Sequence, residues 1–239
     1  MGNDNIFFKR QRDRIKRIEN VKEMRESTWL IICEGSKTEV NYFKKLEKYL
    51  NDNGKRRIKI NAFGQGRNTT DLISHVNDYF KFVDKKYGEF NIKYSKVITV
   101  FDADSFGKEK FNTAISMAER NGYAVAWSNE CFELWILLHF QYCSSALGRK
   151  DLLEKVNNIF MEKCNKKYSK SDDEIFETSI KYGSLSTAIK NSEKLYRLHK
   201  DVICFKPSDA NPATTVHRVI KMLVKEAGCN IYDNFCTDR

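Results

Sequence analysis

The chain has 239 residues, with 42 Lys and Arg against 32 Asp and Glu, and a formal net charge of +10. Hydrophobic residues make up 41% of the sequence, which is enough to bury a sizeable core and excludes a disordered or fibrous chain. The length fits one large domain or a domain with an appendage. Since no apolar run approaches the roughly 20 residues of a membrane span, and no secretory signal opens the sequence, we expect a cytoplasmic protein that does not enter membranes.

The excess positive charge is concentrated in two segments. Residues 9–25 carry eight basic and three acidic side chains, and residues 44–59 carry seven basic and two acidic ones. Each segment therefore has a net charge of +5. Two interpretations are open: both segments are solvated helix faces, or they form a surface that binds a polyanion such as DNA or RNA.

The first predicted elements alternate between helix and strand. Residues 10–26 are predicted to form a polar helix, and the apolar run 28–33 a buried strand that ends before Glu34. A helix follows, because Val40, Phe43 and Leu46 recur at helical spacing, and Ser36 and Thr38 are its candidate caps.

The alternation continues to about residue 127. Strands are predicted at 58–63, 96–101 and 123–127, with a turn at 64–66 and with helices at 72–83 and 108–121. This β-α-β-α-β-α-β order predicts a mostly parallel sheet flanked by helices, an α/β fold. The strand signal then fades, and helices are predicted at 131–141, 150–164, 184–199 and 212–227, the last with Pro212 in its first turn.

Carboxylates follow two of the predicted strands. Glu34 comes after the first strand, and Asp102 and Asp104 come after the third. In open α/β sheets, ligands bind at the carboxyl ends of the strands, and carboxylate oxygens suit Mg²⁺. A phosphoryl-transfer metal site is one interpretation, and ordinary strand ends and helix caps are the other. Aspartate-nucleophile phosphatases and nucleotide-sugar transferases also carry Asp-x-Asp, but the former place it on the first strand and the latter leave Glu34 unexplained.

Four motifs in order resemble the RloB family of bacterial phage-defence proteins over about residues 28–225. They are CEGSKTE at 33–39, DAD at 102–104, SNECFELWILLH at 128–139 and NPATTVHR at 211–218. Members of the family often have Pro where this chain has Glu130. The resemblance implies a Toprim-like fold, metal-dependent hydrolysis of phosphodiester bonds in DNA or RNA, and an ABC-class ATPase, RloA, as the usual partner.

The resemblance, together with the strand-end positions, gives the acidic residues their expected roles. Asp102 and Asp104 are expected to bind Mg²⁺ or Mn²⁺, and Glu34 to act as a further ligand or as a general acid or base. Glu39 is the candidate for an additional catalytic carboxylate, and a helix-start acid favoured by the helix dipole is its alternative.

Other residues are expected to bind nucleic acid or to support the site. Lys37, Arg67, His217 and Arg218 are the candidates for phosphate contacts, with a solvated or capping role as the alternative. The side chains expected to be structural or to back the site are Asn129, Glu133 and His139. A buried carboxylate such as Glu133 needs a partner, either within the fold or in the site.

The expected domain organisation and function follow from these observations. We expect a basic N-terminal helix at 1–27, a Toprim-like α/β catalytic core at 28–142, and a mainly helical C-terminal part at 143–239 packed on that core. The leading hypothesis is a metal-dependent endonuclease acting on DNA or RNA, tRNA included, as the effector of an antiphage system with an RloA-like ATPase. A non-catalytic nucleic-acid-binding or regulatory subunit is the alternative, a phosphatase is a weaker third, and homo-oligomer formation is left open.

Overall fold

A single five-stranded sheet forms the centre of the protein. The computed structural model describes residues 27–64, 94–103 and 107–231. The strand order is β2-β1-β3-β4-β5; the first four strands are parallel and β5 is antiparallel to β4. The strands are β1 (Ser27–Cys33), β2 (Ile58–Gly64), β3 (Lys96–Asp102), β4 (Ala124–Asn129) and β5 (Ala213–Thr214).

Seven α-helices are present in the described part of the chain. Helices α1 and α2 connect strands of the parallel sheet, and the other five follow β4. The helices are α1 (Thr38–Asn53), α2 (Lys108–Arg120), α3 (Glu133–Leu138), α4 (Arg149–Cys164), α5 (Ile175–Tyr182), α6 (Leu185–Lys200) and α7 (Val216–Ala227). The predicted fold class is therefore confirmed: the protein is α/β, with a mostly parallel sheet and a mainly helical C-terminal part.

Strand β1 is buried on both faces of the sheet. Its side chains alternate, so Ile31 and Cys33 enter one hydrophobic cluster while Leu30 and Ile32 enter another. This explains why the strand reads as a continuous apolar run rather than as an alternation of polar and apolar residues. The larger cluster contains residues from both predicted halves, 28–142 and 143–239; the boundary at residue 142 stays a prediction.

The start of α1 differs from the prediction. Lys37 precedes the helix, and no side chain caps it. Thr38 is already helical, and its hydroxyl donates instead to the carbonyl of Lys170, 132 residues further along the chain. The predicted capping by Ser36 or Thr38 is wrong because a distant loop takes the hydroxyl group.

The predicted helix at 212–227 starts too early. The peptide bond between Asn211 and Pro212 is cis, and β5 follows at once, with Thr214 paired to Ser128 of β4. Helix α7 begins only at Val216. A two-residue strand is too short to show any periodicity, so the sequence favoured a helix that starts at Pro212. Helix α5 was not predicted either.

Several predictions lie outside the described residues. These are the basic helix at 10–26, the helix at 72–83, Arg67 and Asp104. None of the helices in the described ranges is long and apolar enough to cross a membrane.

Candidate active site

Glu34 and Asp102 meet at the carboxyl edge of the sheet. Strands β1 and β3 are neighbours, with Cys33 opposite Val100, so Glu34 and Asp102 lie at the same edge of the sheet. The backbone N–H of Asp102 donates to Glu34 Oε2 at 3.2 Å. The structure thus brings together two of the three predicted metal ligands; their role as ligands stays a prediction.

The chain beyond Asp102 is fixed to the end of β4. The Ala103 N–H lies 3.0 Å from the Ser128 carbonyl and 2.9 Å from the Glu130 carbonyl. The peptide bond between Asn129 and Glu130 is cis. The contacts of Ala103 hold the strand end that carries Asp102, while Asp104, the third predicted ligand, lies outside the described residues.

Asp102 is a buried carboxylate with an unsatisfied oxygen. Its side chain is 8% exposed, and Oδ1 has no hydrogen-bond partner within the described ranges. Burial raises the pKa of Asp102 well above its usual range, and the nearby charges of Glu39, Glu133 and Glu34 raise it further; a hydrogen bond from the Phe132 N–H partly offsets this. Keeping Asp102 ionised therefore lowers the stability of the folded protein.

Glu39 is the third carboxylate of the site. It lies in the first turn of α1, and its carboxylate packs directly over Gly35, so that a Cβ at position 35 would collide with both oxygens. A side chain at position 35 would therefore displace the Glu39 carboxylate from this position. Burial raises the pKa of Glu39 to about 7; the repulsion of Glu133 and Glu34 adds to it, whereas its own backbone N–H and Lys170 act in the opposite direction.

This shift predicts a pH-dependent stability in metal-free buffer. Between the ordinary glutamate pKa of about 4.5 and about 7, the unfolded chain has lost the Glu39 proton while the folded chain keeps it. The free energy of unfolding should therefore fall as pH rises through this window, by about 3 kcal/mol in total, and level off above it. Urea unfolding of Glu39→Gln in EDTA should lack this component of the fall.

Glu162→Gln is the matched control, because Glu162 is exposed at the surface. It should follow the wild-type pH profile. If Glu39→Gln and Glu162→Gln gave the same profile between pH 4.5 and 7, the raised pKa of Glu39 would be refuted.

Glu133 is held by two residues that the sequence analysis missed. Its side chain is 1% exposed, and Oε1 lies 2.9 Å from Lys170 Nζ and accepts a 2.9 Å hydrogen bond from the Tyr168 hydroxyl. The loop that carries both residues is fixed to α1 by the bond from Thr38 to the Lys170 carbonyl. The need for a partner was visible in the sequence, but nothing there identified a residue 35 or more positions away.

His139 is a buried neutral histidine. Its Nδ1 lies 3.0 Å from the Trp135 carbonyl and must carry the proton, so Nε2 accepts from the Tyr42 hydroxyl at 3.1 Å. Burial lowers the pKa of His139 to about 4. Its contacts are with the core and differ from those of Glu133, as expected from their spacing in the sequence.

Asn129 lies at the end of β4. Its side-chain amide donates to the carbonyls of Pro207 and Ser208. Nearby, the Asn211 amide donates to Glu130 Oε1 at 3.1 Å. Together these bonds join the end of strand β4 to the segment before β5.

The predicted phosphate-binding residues occupy different environments. His217 is buried, its Nδ1 lies 2.7 Å from the Ser192 hydroxyl, and burial lowers its pKa to about 4. Arg218 is exposed and stacks on Tyr196, with Cζ 4.3 Å from the ring centre. Lys37 is exposed at the start of α1. A neutral, buried imidazole is a poor phosphate ligand, so the contacts favour Lys37 and Arg218 over His217.

The residues at this edge suit a hard divalent cation. Within residues 27–64, 94–103 and 107–231, no three His, Cys, Asp or Glu side chains are already arranged as a metal site. Glu34 and Asp102 nevertheless supply hard oxygen donors, one Asp102 oxygen is unsatisfied, and the neighbouring carboxylates repel one another. A Mg²⁺ or Mn²⁺ ion would relieve that repulsion, so the donor set fits the predicted cation.

A comparison with models of known protein families identifies the family to which the chain belongs. The model described as RloB-like protein matches residues 29–223. The chain belongs to the RloB-like family. The match covers β1 to α7 and thus every residue of the candidate site in this RloB-like protein. Searches of curated proteins and of solved structures gave no match.

Proposed function

We propose that this RloB-like protein is a metal-dependent nuclease with a Toprim-type active site that hydrolyses phosphodiester bonds in DNA or RNA, tRNA included. The observation that carries the proposal is the meeting of Glu34 and Asp102 at the carboxyl edge of the sheet, where one buried Asp102 oxygen has no partner among the described residues. A divalent cation bound at such an edge would bind and polarise a scissile phosphate.

The proposed ligands are Glu34, Asp102 and Asp104. A Mg²⁺ or Mn²⁺ ion bound there would polarise the phosphate and lower the pKa of a bound water. The Phe132 N–H and the Asp102 N–H orient the carboxylates of Asp102 and Glu34, respectively. Glu39, with a pKa of about 7, is able to take or give a proton near neutral pH, which suits a general acid or base.

The proposed biological setting follows from the family resemblance. We propose that the nuclease is the effector of an antiphage defence system in the bacterial cytoplasm and acts with an RloA-like ABC ATPase. Lys37, Arg67 and Arg218 are the proposed phosphate contacts outside the acidic edge, with His217 the weakest candidate because it is buried.

A non-catalytic subunit is the second candidate function. It is favoured by the ion pair between Lys170 and the buried Glu133, which shows that the acidic cluster already contains a built-in cation. In that case, the carboxylates would be structural and the protein would bind nucleic acid or the ATPase without cutting.

The deciding experiment is a cleavage assay on a panel of substrates. Labelled single-stranded DNA, double-stranded DNA and total tRNA would be incubated with the protein in Mg²⁺, Mn²⁺ or EDTA, with and without the ATPase. We expect cleavage that requires the metal and is lost in Asp102→Ala. Binding without cleavage in every combination would favour the regulatory subunit. Release of phosphate from small phosphate esters alone would favour a phosphatase.

A further inference from the structure

An open groove of about 630 Å³ lies between helix α1 and strand β2. Strand β2 is the outermost strand at this side of the described sheet. The groove is lined by basic side chains from both elements and by Phe63, which is partly exposed. All its basic residues belong to the segment 44–59, one of the two that carry the excess positive charge.

Part of the polar lining is already used by the fold. Asn51 exchanges two 2.9 Å hydrogen bonds with the backbone of Ile58. Glu47 accepts from the Ile60 N–H at 3.0 Å and from Lys59 Nζ at 3.1 Å. These side chains cover the outer backbone edge of β2, so Asn51, Glu47 and Lys59 are not the groups that would meet a ligand.

The remaining charges are mostly positive. Lys44, Lys48 and Arg57 are exposed and form no ion pair within the described part of the chain, and Asp52 is the one acid left to oppose them. Lys44 and Lys48 are one helical turn apart, about 6 Å along the axis of α1. The groove therefore presents three exposed cations to a ligand.

The groove leads to the acidic edge. Phe63 lies opposite Ile32, and Gly64 lies opposite Cys33, the residue before Glu34. At Gly64 the backbones approach so closely that a Cβ would collide with the Gly35 carbonyl. The aromatic end of the groove is thus one strand away from the candidate active site.

We propose that the α1–β2 groove binds the phosphodiester backbone of DNA or RNA and directs it to the acidic edge. This inference rests on the proposed function for the destination of the strand. Phosphates contact Lys44, Lys48 and Arg57. Exposed cations that line a groove neutralise the phosphates of a polyanion without reading its base sequence.

The test measures binding separately from cleavage. Fluorescence anisotropy of a labelled single-stranded oligonucleotide would be followed in EDTA over a range of salt concentrations. In Lys44→Gln/Lys48→Gln/Arg57→Gln we expect at least about a tenfold loss of affinity and a decrease of about 2 in the salt slope, since each phosphate contact on a single strand contributes about 0.7.

A second triple variant matches the loss of charge. Lys110→Gln/Lys155→Gln/Lys190→Gln removes three exposed cations from α2, α4 and α6. It should bind like the wild type, and circular dichroism would verify that both variants fold. The proposed role of the groove would be refuted by equal losses of affinity in the two variants, by no loss in the groove variant, or by no binding of the wild type. Cleavage in the earlier assay would still support the nuclease in all three cases.

Discussion

Asp102→Asn is expected to be more stable than the wild type in metal-free buffer and almost inactive in cleavage. The amide keeps the shape of Asp102 and an acceptor for the Phe132 N–H, but it removes a buried charge that Glu39, Glu133 and Glu34 oppose. We expect the free energy of unfolding to rise by about 1–2 kcal/mol. Active sites retain residues that lower the stability of the fold, so replacing such a residue stabilises the protein.

Cleavage should fall at least about 100-fold in the same variant. Loss of a residue that only supports a metal ligand already costs about 10- to 100-fold, and Asp102 is a proposed ligand itself. Urea unfolding in EDTA and cleavage in Mg²⁺ measure the two effects. Asp173→Asn, at an exposed position, is the control and should change neither. Wild-type cleavage by Asp102→Asn would remove Asp102 from the proposed metal site.

Lys170→Met is expected to destabilise the protein by about 2 kcal/mol at neutral pH. Removing one member of a buried ion pair costs about 3–5 kcal/mol, because the other charge stays buried without compensation. Glu133 is 1% exposed and the Lys170 side chain is 41% exposed, so part of this cost is screened by solvent. The Tyr168 hydroxyl then still donates to the Glu133 carboxylate, but no cation faces it at this distance in the described part of the chain.

Two further variants isolate the ion pair. Lys167→Met removes an exposed cation from the same loop and should leave the free energy of unfolding within about 0.5 kcal/mol of the wild type. In Lys170→Met/Glu133→Gln, part of the lost stability should return, because no uncompensated carboxylate is left. Equal stability of Lys170→Met and Lys167→Met in chemical unfolding would show that the ion pair does not stabilise the fold.

The sequence predicted the parallel part of the fold closely. Strand β1 was expected at 28–33 and lies at Ser27–Cys33, and helix α2 was expected at 108–121 and lies at Lys108–Arg120. Both elements are long and have a strong hydrophobic pattern. Strand β5 and helix α5 were not predicted, since a two-residue strand and an eight-residue helix contain too few positions for a period to be recognised.

The candidate site could be predicted only in part. Glu34 and Asp102 were expected to meet because parallel strands end at one edge, and the structure confirms that they do. The network of Glu133, Tyr168 and Lys170 could not be predicted. Glu133 is separated from Tyr168 and Lys170 by more than thirty residues of sequence, and no local pattern connects it to them.

The amino-acid sequence by itself determined the α/β class, the alternating order of strands and helices in the parallel part, and the position of the acidic residues at strand ends. These features depend on local periodicity. Only the tertiary structure decided which groups surround those acids. It closed the Glu39 carboxylate over Gly35, placed Lys170 on Glu133 and used Glu47 and Asn51 to cover the edge of β2. Burial and charge at a site depend on contacts between distant segments, and such contacts exist only once the chain has folded.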